Sequence, residues 1–88
     1  MIRRRVIVHG FVQGVGFRYA VVRAARSRGV SGWVRNNPDR TVEAVFEGES
    51  DAVEAVVRWC EEGPRGADVD GVEVFDEQPE GLSDFVVH

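Results

Sequence analysis

The stretch HGFVQGVGFRYA, from His9 to Ala20, sets Gly10, Gly14 and Gly16 and a lone Gln13 between an apolar run and the start of a helical pattern. What flanks it decides how the chain is built. Upstream, RRRVIVHG carries the β-branched run Val6, Ile7 and Val8 and ends at Gly10, which reads as a strand. Downstream, Phe17, Ala20, Val21, Ala24 and Ala25 fall at helical spacing and form one stripe of an amphipathic helix, with Gly29 as its C-terminal stop. Arg23 and Arg26 take the opposite, solvated face. Arg18 is different, because it lies in the first turn, where the helix dipole disfavours a cation by roughly a few tenths of a kcal/mol unless an anion joins it.

Beyond Gly29, VSGWVRN and RTVEAVFEG read as two strands around NNPDR, where Pro38 and Asp39 suit the central positions of a type I turn. In the second of these strands Val42, Ala44 and Phe46 alternate with Glu43, Val45 and Glu47, as expected of a sheet with one covered face and one largely wet. Ser50 is placed to cap a second helix whose stripe is Val53, Val56, Val57 and Cys60, with Trp59 flanking it and Gly63-Pro64 ending it. ADVDGVEVFDE is a further strand, QPEGLS a turn-rich connection and DFVVH a short closing strand. The order βαββαβ plus a short C-terminal strand predicts an α+β, ferredoxin-like sandwich: an antiparallel sheet with both helices on one face. All 88 residues fit one domain.

Composition excludes several classes of function. A hydrophobic fraction of 43% and a charged fraction of 30% suit a soluble globule, and no apolar run reaches the ~18 residues of a membrane span. MIRRRVIV is basic then apolar, but its apolar part is short for a signal-peptide core and no small-residue cleavage site follows. The single cysteine cannot form an internal disulfide, so the expected location is the reducing cytoplasm. A formal charge of -4 disfavours a sequence-independent nucleic-acid binder, which needs a basic face. No Cys/His spacing predicts a zinc site and no acidic spacing a calcium loop.

A glycine-rich strand-to-helix turn can aim successive backbone N–H groups into one concavity, and the free amides of the following helix open on the same place. Arg18 adds a charged planar fork that pairs with two phosphate oxygens. Spacing alone leaves a second reading open, in which the glycines serve close packing and Arg18 is merely exposed. The motif is neither the dinucleotide fingerprint, whose glycines are spaced differently, nor the nucleotide P-loop, which needs a lysine that this chain lacks.

GFVQGVGFR (Gly10–Arg18) and GWVRN (Gly32–Asn36) closely resemble the paired motifs of the acylphosphatase family, and the likeness extends through VEAVFEG and through Gly63, Pro64, Ala67 and Val69. The resemblance implies the same sandwich fold and metal- and cofactor-free hydrolysis of the carboxyl–phosphate bond of small-molecule acyl phosphates, releasing inorganic phosphate. By it, the backbone of Gln13, Gly14, Val15, Gly16 and Phe17 forms the phosphate cradle, Arg18 is the phosphate-binding catalytic arginine and Asn36 orients the attacking water. The chemistry suits so sparse a site. A carboxylate leaving group, whose conjugate acid has a pKa near ~4, needs no general acid, and a loose phosphoryl-transfer transition state asks mainly for positioning and charge stabilisation. A monomer is expected of so small a domain.

Four residues after Asn36 the family usually has glycine, whereas this chain has Arg40, a departure that bears on the turn geometry beside the site. His9 reads as a locally hydrogen-bonded strand residue rather than an acid or base, Cys60 as an inert core thiol, and Arg3, Arg4, Arg5 and Arg35 as strand-edge or solvated residues. The rival function is a non-catalytic phosphate- or anion-binding regulatory module on the same fold. Anion binding alone, however, gives no reason for a water-orienting amide at Asn36. A single-stranded RNA binder, stacking bases on Trp33 or Phe46, is opposed by the acidic balance.

Overall fold

In a computed structural model describing residues 1–88, the β-branched opening run forms β1 (Ile2–Phe11), and the glycine-rich turn hands it to α1 (Phe17–Ser27). β2 (Ser31–Asn36) and β3 (Val42–Gly48) form the expected hairpin, followed by α2 (Ser50–Glu62), β4 (Asp68–Glu77) and the short β5 (Phe85–Val87). The sheet order is β4-β1-β3-β2-β5. The first four strands run antiparallel to their neighbours, whereas β5 lies parallel to β2, Gly32 opposite Phe85 and Val34 opposite Val87. The sheet is therefore mixed. β4 runs opposite to β2, so one reversal through residues 78–84 returns the chain in the direction of β2 at its free edge.

Alternation along the strands sends Val6, Val8, Val34, Val42, Ala44 and Phe46 to one face, where Phe17, Val21, Val22 and Ala25 of α1 and Val53, Val56, Val57 and Cys60 of α2 close the core. Each such valine contributes roughly 1.5–3 kcal/mol by leaving water. α1 ends in a Schellman motif: the amide of Val30 donates to Ala25 O and that of Gly29 to Arg26 O, while Val30 and Ala25 meet in the core. The start of α2 differs from expectation. Glu49 is the N-cap and no side chain caps the helix, so Ser50 is its first residue rather than its cap.

The second face of the sheet is not the wet surface that alternation suggests. Every residue of β3 is buried, with Val45 at 0%, Glu43 at 8% and Glu47 at 1% exposure. β1 lies inside the sheet, so its arginines are neither edge residues nor solvated as expected. Arg3 is buried and bonds Glu47 (2.7 Å) and Glu77 (2.9 Å), and Arg5 bonds Glu77 (2.8 Å) and lies over the Phe75 ring, whereas Arg4, on the helix-covered face with Val6 and Val8, pairs with Asp76 and with Glu54 of α2. Long side chains whose stems cover apolar surface and whose heads find carboxylates close this face. Burial alone would raise the pKa of Glu47, but the Arg3 guanidinium and the amides of Glu80, Leu82 and Gly81 hold it below the usual carboxylate range. That carboxylate pins the 78–84 connection, and so β5, in place. Stacking of Phe85 on Phe46 and of His88 on Trp33 completes the attachment.

The β2–β3 hairpin closes as a type I turn with Pro38 and Asp39 at its centre: Arg40 N donates to Asn37 O, and Asn37 N to Thr41 O. Arg40 then takes φ 77°, the left-handed position that ends a three-residue hairpin loop and for which glycine is favoured. That conformation costs a non-glycine residue about 1–2 kcal/mol, against which glycine loses about 0.5–1 kcal/mol of extra chain entropy on folding. Arg40→Gly is thus expected to stabilise the protein by about 0.5–1 kcal/mol, raising Tm by several degrees in calorimetry at the ~4–8 °C per kcal/mol typical of this size. An unchanged or lower Tm would mean that contacts of the Arg40 side chain offset the strain.

Candidate active site

The turn between β1 and α1 is held at both ends. Val12, 1% exposed, and Phe17, 2% exposed, both enter the core, and the Phe17 ring packs against Trp59 with centroids 5.7 Å apart. Gly63, the C-cap of α2, leaves room for that ring, since a Cβ there would lie 2.7 Å from it. Between these anchors Gly14 (φ 76°) and Gly16 (φ 77°) adopt the left-handed conformation, with open space where a Cβ would stand. The amides of residues 13–19 donate to no acceptor within the chain; the first helical bond runs from Ala20 N to Gly16 O. α1 also lacks a capping side chain and has no acidic residue in its first turn. The result is a fixed array of free N–H groups at the positive end of a helix dipole.

Around this array lies a cavity of about 400 Å³ lined by Val12, Gly14, Gly16, Phe17, Arg18, Tyr19, Asn36 and Val87. Arg18 is exposed and takes part in none of the ten ion pairs of the molecule, although all four arginines of the strands, Arg3, Arg4, Arg5 and Arg35, are paired. Asn36, the last residue of β2, is held in register opposite Val42 and is half-buried, and its carboxamide bonds no protein group. Arg18 and Asn36, twin candidates from separate motifs, thus share one cleft with Gly14, Gly16 and Phe17. Two residues of the expected backbone cradle send their side chains elsewhere, which a main-chain cradle permits. The Val15 side chain packs toward the core and the Gln13 carboxamide turns to the β2–β3 hairpin, which leaves only the main-chain amides of these two to serve a cradle.

Sequence reading missed Tyr19, Val12 and Val87 as cavity walls. Val87 arrives from the far end of the chain through the parallel pairing of β5, which local periodicity does not reveal; Tyr19 was legible as the exposed neighbour of Arg18 in the first helical turn. The remaining candidates lie elsewhere. His9 Nε2 is 2.6 Å from Glu73 Oε2 across β1–β4 and does not line the cavity. Cys60 is fully buried, and burial together with the nearby Glu61 pushes its pKa up to about 12, leaving an unreactive thiol. Arg35 is exposed and bonds Glu43 at 2.9 Å. No three His, Cys, Asp or Glu side chains cluster as a metal site, and no helix is long and apolar enough to cross a membrane.

By architecture the chain is a ferredoxin-like sandwich with an amide-lined cleft where its first strand meets its first helix. A family model described as Acylphosphatase matches residues 4–87. An acylphosphatase of Trichormus variabilis is 58% identical over 87 residues, 99% of this chain and 86% of that one. One of Thermococcus kodakarensis is 54% identical over 86 residues, 98% of this chain and 94% of its own length. The crystal structure of acylphosphatase from Bacillus subtilis superposes with a TM-score of 0.97 at 37% identity, covering 100% of this chain and 99% of the other. The chain belongs to the acylphosphatase family and is an enzyme, and family and fold together support hydrolysis of acyl phosphates.

Proposed function

We propose that the protein hydrolyses small acyl phosphates to a carboxylate and inorganic phosphate without a metal or cofactor, and that the reaction occurs in the Arg18–Asn36 cleft. The free amides of the Gln13–Phe17 turn and the Arg18 guanidinium bind the phosphoryl oxygens. The Asn36 amide oxygen accepts a hydrogen bond from water and holds it in line with the phosphorus; an amide is no base at neutral pH, so its part is positional. Water oxygen bonds to phosphorus as the bond from phosphorus to the acyl oxygen breaks. The acyl oxygen leaves with the electron pair as a carboxylate, and the water proton passes to a phosphate oxygen. Fixed donors around the phosphoryl group stabilise the charge spread over its equatorial oxygens.

The observation that carries this reading is the meeting, in one cleft, of free amides, an unpaired guanidinium and an unbonded carboxamide. A regulatory anion binder has use for the first two only. We read the protein as a one-domain cytoplasmic monomer, whose cleft grips the phosphoryl group and tolerates different acyl substituents. The test is hydrolysis of acetyl phosphate with excess EDTA, with inorganic phosphate as inhibitor. Undiminished turnover and competitive inhibition are expected. Phosphate binding without turnover would instead identify the regulatory module.

A further inference from the structure

Gln13 lies in the cradle sequence, yet its side chain points away from the cleft. Its Nε2 donates to Asn37 O and to Thr41 O, each at 2.9 Å. Both partners are carbonyl oxygens, so the nitrogen of the carboxamide must face them and both of its N–H bonds are used. The two carbonyls stand at the neck of the β2–β3 hairpin, one on each arm, and Thr41 O also receives the amide of Asn37. β1 and β3 part company after the Val8–Val42 pair. Beyond that point the two bonds from Gln13 are the only hydrogen bonds between the turn that carries the free amides and the hairpin that carries Asn36.

We propose that Gln13 is a positioning residue that fixes the Asn36 carboxamide relative to the amide cradle. The inference rests on the hydrolytic reading above. One side chain ties Asn37, the residue after Asn36, to the turn that seats the phosphoryl group. Cutting the tie leaves the amides and Arg18 in place, because Val12 and Phe17 anchor the turn independently, but frees the hairpin to shift. A water misplaced by about 1 Å costs on the order of 10²-fold in rate. The signature is accordingly a fall in kcat with little change in phosphate binding.

Gln13→Met removes both donors at similar size. Gln13→Glu sets a carboxylate, which only accepts, against two carbonyl oxygens; once protonated it regains one donor. Facing carbonyls, the introduced carboxyl takes up its proton above the usual range of a glutamate, and kcat relative to wild type rises as pH falls through that value. Arg40 beside Gln13, Asp39 and Glu43 bonded through Thr41 and Asn37, and His9 near Asp39 also surround this neck, but they are present in both proteins, so the ratio isolates the new group. Expected are a 10- to 100-fold lower kcat for Gln13→Met, a Ki for inorganic phosphate within about threefold of wild type, and a Gln13→Glu/wild-type kcat ratio that climbs toward acid. Circular dichroism well below Tm confirms that each variant is folded. Wild-type turnover with kcat of the Met variant within twofold, or a flat Glu/wild-type ratio, overturns the positioning role alone. Absence of wild-type turnover overturns the hydrolytic reading and this role with it.

Discussion

Arg18→Ala is expected to lower kcat/KM for acetyl phosphate by about 10³-fold while leaving the fold intact or slightly more stable. Removing one fixed donor aimed at developing charge costs about 10²–10³-fold, and an arginine serving the phosphoryl group in related chemistry is worth about 10³–10⁵-fold. Arg18 combines donor and charge, and no carboxylate of the chain competes for its guanidinium. The stability half of the expectation separates this from a structural effect. An exposed cation in the first turn opposes the helix dipole by about 0.3–1 kcal/mol, so alanine relieves a repulsion and also has the higher helix propensity. Arg18→Lys keeps the charge but loses the planar fork and should recover only part of the rate. Steady-state kinetics paired with thermal melts decide the matter. Arg18→Ala turning over within tenfold of wild type, or losing activity only in step with its Tm, removes Arg18 from the proposed role.

Local signals were clear: the β-branched run of β1, the helical stripes, the Pro38-Asp39 turn and the conditional strain at Arg40 all depend on residues close along the chain. The cleft was legible for the same reason, since Gly14, Gly16 and Arg18 belong to one turn and Asn36 ends one strand. Long-range partners were not legible. Alternation in β3 identifies two faces but not what covers the second, and Glu47 is buried by Arg3 and by a loop at residues 80–82. Arg3 and Arg5 look solvated until β4 supplies Glu77. Val87 becomes a cavity wall only through β5 pairing with β2. The resemblance assigns a role to the Gln13 backbone but says nothing of its side chain, which reaches a hairpin some 24 residues away.

Asn36→Ala should separate binding from turnover where Arg18→Ala removes both. Asn36 carries no charge, and the amides and guanidinium proposed to seat the phosphoryl group lie on the other motif, so KM and the Ki of inorganic phosphate are expected within about threefold of wild type. If Asn36 aligns the attacking water as proposed, its loss lowers kcat by about 10²-fold, the scale of a small misplacement of a reacting atom. A residue that merely shaped the cleft would move KM and Ki as well. Asn36→Asp sharpens the contrast: it keeps an oxygen for the water but sets a negative charge beside a bound phosphoryl group, so phosphate inhibition weakens and the weakening shrinks as salt rises. Equal losses in binding and turnover for Asn36→Ala, or stronger phosphate inhibition of Asn36→Asp, would place Asn36 among the groups that hold the anion and leave the water to be aligned by another donor or acceptor of the cleft.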